Sequence, residues 1–551
     1  MTTQTIDPKP LPSVGTPTET LDVLVIGSGM GALSAACMLA RDGLKVRVLE
    51  QNYLPGGCTS TYPRQGYLFE TGATTMLGLE DFMPPAMLFR EIGLDFRPVK
   101  LETPMRVVLG DGTEITRHQN LRRWIMEAER VFGPRGQREF WEFNHKLSKR
   151  VWDASSRHLS FPPGRARDVL DSLKAVRPGD FSCLPHAFRV VEDVLRRFGL
   201  QKNERFRAFV DEQLMITAQN DMTQVNALFG AAALCYTNYD NYYVPGGNIE
   251  LIRALVNYLE SKGARLETRT RVLDIRANES RGGGRFTVTA EYRGRRMNYR
   301  AKRIVSGIPV NNTLELLDDH LRMQCRNLRL MKSGELTGAF TMGIGFRRRE
   351  RFDVLHHQIH LDKPLPGAGA HSFFISLSHP DDPSRGPGGT VTANISAHYQ
   401  DPARETHMDK QILEEAILNK LTDLGMFARE DLLYTHCSAP PAWEKWTLRK
   451  YGAVGGYHQY RRIKPWALLR TRLGPEGFYQ CGDTTYPGQG IPGACLSGLI
   501  AHRKLMGDLR AENRRGGKPG GGAPARRQEE AREPAKVRSY HAASVAEETP
   551  R

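Results

Sequence analysis

The chemistry legible in this chain starts from a carboxylate and a set of closely spaced glycines. Leu21-Asp-Val-Leu-Val-Ile-Gly27-Ser-Gly29-Met-Gly31-Ala32 stands near the N-terminus, and Glu50 follows it. The apolar run 23–26 reads as a buried parallel strand. Gly27 makes the tight turn out of it. Gly29, with no Cβ, lets the backbone come close to a pyrophosphate. The helix expected at 31–42 aims its free N-terminal amides at phosphate, and Ala32 is small enough to pack that helix on the strand. Gly43 stops the helix, 45–49 forms a second strand, and Glu50 at its end can accept both hydroxyls of a ribose. Strand, glycine turn, helix, strand and acid in this order bind a dinucleotide.

Further motifs indicate which dinucleotide. Beyond Glu50 comes Gln51-Asn-Tyr-Leu-Pro55-Gly56-Gly57-Cys58, then Gly66-Tyr67-Leu-Phe69-Glu70-Thr71-Gly72-Ala73. The run Val244-Pro245-Gly246-Gly247 precedes a helix, followed by Arg271-Val272-Leu-Asp-Ile275. Far along the chain stands Gly482-Asp483-Thr-Thr-Tyr-Pro487-Gly488-Gln-Gly490-Ile491-Pro492-Gly493-Ala494. This combination resembles the carotenoid isomerase and phytoene desaturase family of the amine-oxidase-like flavoprotein superfamily. In its C-terminal motif it is closest to the prolycopene isomerase branch, although Ile491 to Ala494 reads more like the desaturase branch. Many members carry Arg where Cys58 stands, so one phosphate contact is expected to be missing here.

The resemblance implies FAD as cofactor. Its adenosine and phosphates are expected at Gly27, Gly29, Gly31, Ala32, Glu50, Gln51, Gly56, Gly57, Gly72 and Val272. The flavin end is expected at Gly482, Asp483, Gly490, Ile491 and Pro492. Asp483 would meet the ribityl chain or the pyrophosphate, and a helix from Gly493 or Ala494 to about Gly507 would stabilise the reduced ring through its N-terminal amides. No second dinucleotide fingerprint is present, so no NADPH domain is expected. Electrons then leave through oxygen, a quinone or a transient partner, or the reaction is redox-neutral. No catalytic base is legible, and the flavin is the expected catalytic group.

The elements that must position these residues are expected to interleave. The fold class is α/β: a Rossmann-type FAD-binding lobe, a mixed-sheet substrate lobe and a helical lid. The divisions run 1–20 (disordered leader), 21–105 (FAD lobe, first part), 106–235 (helical substrate or lid region), 236–310 (FAD lobe, second part), 311–469 (substrate lobe), 470–508 (FAD lobe, third part) and 509–551 (disordered tail). Helical periodicity marks 121–132, 140–152, 169–176, 187–198 and 204–216. Trp124, Trp141 and Trp152 in this region either form a lid that touches a membrane or pack as plain core. A strand is expected at 266–275, a hairpin at 286–299, and further strands at 303–309, 339–346, 372–376 and 390–396.

Composition excludes several classes. A length of 551 residues requires more than one lobe. The eight cysteines show no Cys-x-x-Cys, which is neither a disulfide framework nor a zinc knuckle and points to a reducing compartment. His356, His357 and His360 lack acidic or sulfur neighbours, so no metal is expected. The formal charge of +16 fits either a surface for anionic lipid or solvated helix faces, and no nucleic-acid motif accompanies it.

The expected function is therefore an FAD-dependent oxidoreductase acting on carbon–carbon bonds of a long apolar polyene, by desaturation or cis–trans isomerisation. The alternatives are an isoprenoid or retinol-type saturase and a flavin amine oxidase. The expected location is the cytoplasm, with peripheral membrane contact.

Overall fold

A computed structural model describes residues 19–278, 284–325, 328–349, 352–404 and 409–515. The expected leader and most of the expected tail lie outside the described residues.

The first sheet is built on the strand Thr20–Ile26, whose side chains are almost wholly buried. Val46–Leu49 and the C-terminal half of Arg295–Ser306 flank it in parallel. Arg265–Glu267 extends one edge beyond Val46–Leu49. Phe286–Tyr292 and Thr270–Ala277 extend the other as antiparallel strands. The short strand Phe478–Gln480, from far along the chain, pairs in parallel with the end of Arg295–Ser306. A parallel arrangement covered on both faces explains the near-continuous apolar runs. The helices Met30–Arg41 and Ile249–Ser261 and the start of Ile491–Arg515 share one core cluster against this sheet.

The second sheet has seven strands, in the order Leu432–Ser438, Thr337–Arg347, Thr390–Gln400, Ser372–Leu377, His356–His360, Met105–Val108 and Glu114–Arg117. All neighbours are antiparallel except Met105–Val108 beside His356–His360. Between the sheets in sequence come the helices Leu121–Phe132, Gln137–Arg157, Ala166–Ala175, Val191–Arg197, Glu204–Thr217 and Ala227–Leu234. Trp124, Trp141, Phe206 and Phe209 form an aromatic core here. The buried Arg117 guanidinium lies 4.1 Å from the Trp124 ring centre and donates to Gln213, Thr237 and the Leu234 carbonyl. Burial lowers its pKa to about 10. Trp124 and Trp141 are core residues rather than membrane-facing ones, while Trp152 faces a cavity.

Three expectations need correction. The strand expected at 266–275 is two strands, separated by a turn with Arg269 at φ +56°, and they lie in different parts of the sheet. Residues 105–117 are strands, which the helical periodicity of the following region obscured. The last helix begins at Ile491, and its described part runs to Arg515, past the expected end near 507. The histidines at 356, 357 and 360 lie in one strand and are all buried. His356 pairs with Ser376 and His357 with the Val354 carbonyl. No metal-ligating cluster occurs among the described residues.

Candidate functional site

One cavity of about 1070 Å³ runs through the molecule, just above the roughly 300–1,000 Å³ typical of small-molecule sites. Of the residues expected at the cofactor, Gly27, Gly29, Gly31, Glu50, Gln51, Gly56, Gly57, Gly72, Val272, Gly482, Asp483, Gly490, Ile491 and Pro492 all line it. Ala32 does not. It is fully buried and packs on Gly307, so it serves helix-on-strand packing alone.

The glycines divide by what a side chain would meet. At Gly29 a Cβ would have nothing within 4 Å, so this face is open to the cavity. At Gly31 it would fall 2.9 Å from the backbone of both Ala494 and Gly482. Gly29 also pairs with Gly56 in an isolated bridge, which brings the fingerprint and the Gly-Gly loop together. An open glycine at the N-terminus of the helix Met30–Arg41, with a second glycine loop beside it, is a cradle that fits the diphosphate of FAD.

Glu50 is buried at the end of Val46–Leu49. One carboxylate oxygen accepts from the Ser28 amide at 3.0 Å and the Ser28 hydroxyl at 2.6 Å. The other accepts from the Asn52 amide at 2.8 Å. Burial pushes its pKa up against these bonds. The carboxylate is thus oriented from within the protein and keeps lone pairs for a ribose.

At the other end, Asp483 is ion-paired with Arg449, which also donates to the Gly455 carbonyl at 2.5 Å. Burial works against this guanidinium, but the adjacent Asp483 outweighs it and raises the pKa. Cys58 lies against the same guanidinium. A cation therefore does stand beside the Gly-Gly loop, delivered from elsewhere in the chain. Sequence reasoning missed Arg449 because no motif surrounds it.

Beyond the glycines the cavity opens between helices and the second sheet. Val151, Trp152, Ile216, Phe229, Ala232 and Ala233 form an apolar wall. The opposite wall is the second sheet, with Thr341, Asn394, Ser396, His398, His436 and Ser438. His436 is hydrogen-bonded to the Tyr62 hydroxyl at 2.7 Å. Burial lowers the pKa of both His398 and His436 to about 4, so both rings are neutral near pH 7. Neither was singled out from sequence, since a histidine in an alternating strand carries no motif.

These features define a flavoenzyme architecture. The chain matches the family described as flavin containing amine oxidoreductase over residues 33–506, and it belongs to that family. It is an FAD-dependent oxidoreductase.

The chain is similar to prolycopene isomerase 2, chloroplastic, of an Oncidium hybrid cultivar, with 23% identity over 522 residues, covering 90% of this chain and 85% of that protein. It is likewise 23% identical over 525 residues to the neurosporene-forming phytoene desaturase of Cereibacter sphaeroides, covering 89% of this chain and 95% of that one. Both agree with the motif resemblance. Cyclohexylamine oxidase from Brevibacterium oxydans shares the fold, with a TM-score of 0.54 and 16% identity over 89% of this chain and all of that one.

Proposed function

We propose that the protein is an FAD-dependent oxidoreductase acting on carbon–carbon bonds of a long polyene or isoprenoid, by desaturation or cis–trans isomerisation. The observation that carries this reading is the continuity of the cavity, which passes from the dinucleotide cradle into a chamber with an apolar helical wall. The similarity to a prolycopene isomerase and a phytoene desaturase supports it. An amine oxidase would require an aromatic cage and a lysine facing the flavin, and among the described residues no lysine lines the cavity.

In this reading the segments 21–105, 236–310 and 470–508 hold FAD, and 106–235 with 311–469 shape the substrate chamber. Gly29 and Gly56 admit the diphosphate, Glu50 holds the ribose, and Asp483 with Arg449 fixes the far end. FAD, when bound, supplies hydride exchange with an allylic carbon. The apolar wall excludes water from that carbon, and the neutral imidazole of His398 is the group available to carry a proton.

The substrate would enter from a membrane. No described helix is long and apolar enough to cross one. Instead Leu170, Leu173, Phe181, Leu184 and Phe188 are more than half exposed, with Arg167, Lys174 and Arg177 among them in sequence. An exposed apolar segment suits a lipid surface; Arg167 and Arg177 lie 3.9 Å from Asp171 and Asp153, which leaves Lys174 for an anionic headgroup. The patch is fastened to the helix that lines the chamber: Arg157 donates to the Ala175 carbonyl and to Asp180, and Arg150 donates to Ser182. We place the protein at the cytoplasmic face of a membrane. Its electrons leave through oxygen or a quinone, or the reaction is redox-neutral.

Anaerobic incubation with cis and all-trans carotenoids, with FAD oxidised or pre-reduced, tests this. Loss of hydrogen in pairs selects desaturation. Isomers of unchanged mass, formed only with reduced FAD, select isomerisation. Bleaching of the flavin by an amine, with every polyene inert, overturns the reading.

A further inference from the structure

The two walls of the chamber differ in chemistry, and the difference follows strand geometry. Asn394, Ser396 and His398 alternate along Thr390–Gln400, so their side chains share one face. Thr341 on the neighbouring strand stands opposite Ser396 on one side and Ser438 on the other. Gly343, next along the same face, stands between Asn394 and His436. Five side chains with hydrogen-bonding capacity, Thr341, Asn394, Ser396, His398 and Ser438, thus form one contiguous floor. All five line the cavity, and none makes a side-chain hydrogen bond among the described residues. Tyr62 and His436 at its edge already satisfy each other.

This floor is poorly suited to a pure hydrocarbon. Covering a hydroxyl or amide with hydrocarbon leaves it unpaired, which weakens binding. Sites built to hydrogen-bond a substrate oxygen reject analogues that lack it. None of the five floor side chains carries a charge: burial keeps His398 neutral, the nearby cation Arg449 is taken by Asp483, and another cation of the cavity, Arg64, stands at the edge beside His436. A neutral wall with both donors and acceptors matches a neutral oxygen rather than a carboxylate.

We infer that the substrate is an oxygenated polyene or isoprenoid whose hydroxyl or carbonyl group rests on Thr341, Asn394, Ser396, His398 and Ser438 while its chain lies against the apolar helical wall. The inference rests on the polyene reading above and narrows it. Asn394 and Ser396, at the centre of the floor, are specificity-determining residues.

The test uses the FAD-loaded protein under anaerobic conditions. Lycopene and its monohydroxy derivative are titrated in detergent micelles, and binding is read from quenching of flavin fluorescence and the shift of the polyene absorption bands. The expected result is tighter binding of the hydroxylated compound by about tenfold or more, the size of one satisfied buried hydrogen bond. In Asn394→Leu and Ser396→Ala the preference should fall to within about threefold, with lycopene affinity maintained. Equal or tighter binding of lycopene by the wild type, or a preference that survives both substitutions, overturns the inference and leaves the polyene reading standing. If neither polyene perturbs the flavin while an amine bleaches it, both fall. The wild-type comparison decides alone should a variant fail to fold.

Discussion

Gly31 and Gly482 touch through their backbones: a Cβ on Gly31 would fall 2.9 Å from the Gly482 amide nitrogen. Gly498 repeats the contact one helix turn further on, where a Cβ would fall 2.2 Å from the Gly31 carbonyl oxygen. The two glycine-rich ends of the chain are therefore a single packed unit, and the helix Met30–Arg41 is wedged against the start of Ile491–Arg515.

That contact separates two substitutions that look alike in sequence. Gly31→Ala forces backbone apart and is expected to destabilise the apoprotein by about 1–3 kcal/mol. Gly29→Ala meets open space at an ordinary negative φ. It is expected to leave the melting temperature of the apoprotein unchanged and to weaken FAD binding by at least tenfold, roughly the effect of one blocked phosphate contact. Thermal melts of the apoproteins and fluorescence titrations with FAD check the pair. Equal melting temperatures for the two variants would sink the argument.

The Arg449–Asp483 pair is largely buried, with side chains 13% and 19% exposed. Arg449→Met leaves a carboxylate uncompensated, and a loss of about 3 kcal/mol is expected. Adding Asp483→Asn should recover part of it, because the stranded charge is gone. Urea midpoints of the single and double variants measure this. A double variant no more stable than Arg449→Met would show that the ion pair is not the source of the loss.

Acid should loosen the fold before it reaches the ordinary carboxylate range. Burial lowers His356 and His458 to about 3, and His357 and His398 to about 4, from 6.5. Between pH 6.5 and 4 the unfolded chain binds protons that the folded chain refuses, so stability falls as pH drops through this window. Each such histidine contributes about 1.4 kcal/mol per pH unit. His360 and His436, also lowered to about 4, add to this, while Asp211, raised to about 6 by burial, and Glu50, Glu80 and Glu212, also raised by burial, act in the opposite sense; six histidines against four carboxyls set the net direction. Calorimetric melting temperatures from pH 7 to 5 should decline steadily, and a flat or rising profile would contradict the assignment.

The exposed apolar patch gives a prediction about surfaces. Leu173→Glu with Leu184→Glu alters two exposed side chains. The substitutions should leave folding intact and weaken binding to anionic vesicles in co-sedimentation by about thirtyfold or more, as expected for the loss of two inserted side chains at roughly 1–2 kcal/mol each. Unchanged sedimentation would place the membrane contact elsewhere.

The cofactor cradle was legible because it is local. Strand, turn, helix and acid follow one another in the chain, and glycine spacing reports backbone geometry directly. The C-terminal loop was legible for the same reason. Arg449, Ser28 as the clamp on Glu50, and the polar floor around Asn394 were not. Each works through partners distant in sequence or through a strand face whose exposure depends on what the sheet packs against. The misreading of 266–275 has a related cause: two short strands joined by a non-glycine turn at Arg269 look like one. Trp124 and Trp141 were ambiguous because an aromatic helix face has the same periodicity whether lipid or Phe206 covers it.

The pairing of Phe478–Gln480 with Arg295–Ser306 sets an order of events in biogenesis. While a ribosome still holds the C-terminal segment, the first sheet lacks that strand and the helix Met30–Arg41 lacks its Gly482 and Gly498 neighbours. The nascent chain can fold its helical layer and second sheet, but it has no closed vessel for FAD. Cofactor capture therefore waits until the segment 478–498 has emerged and paired.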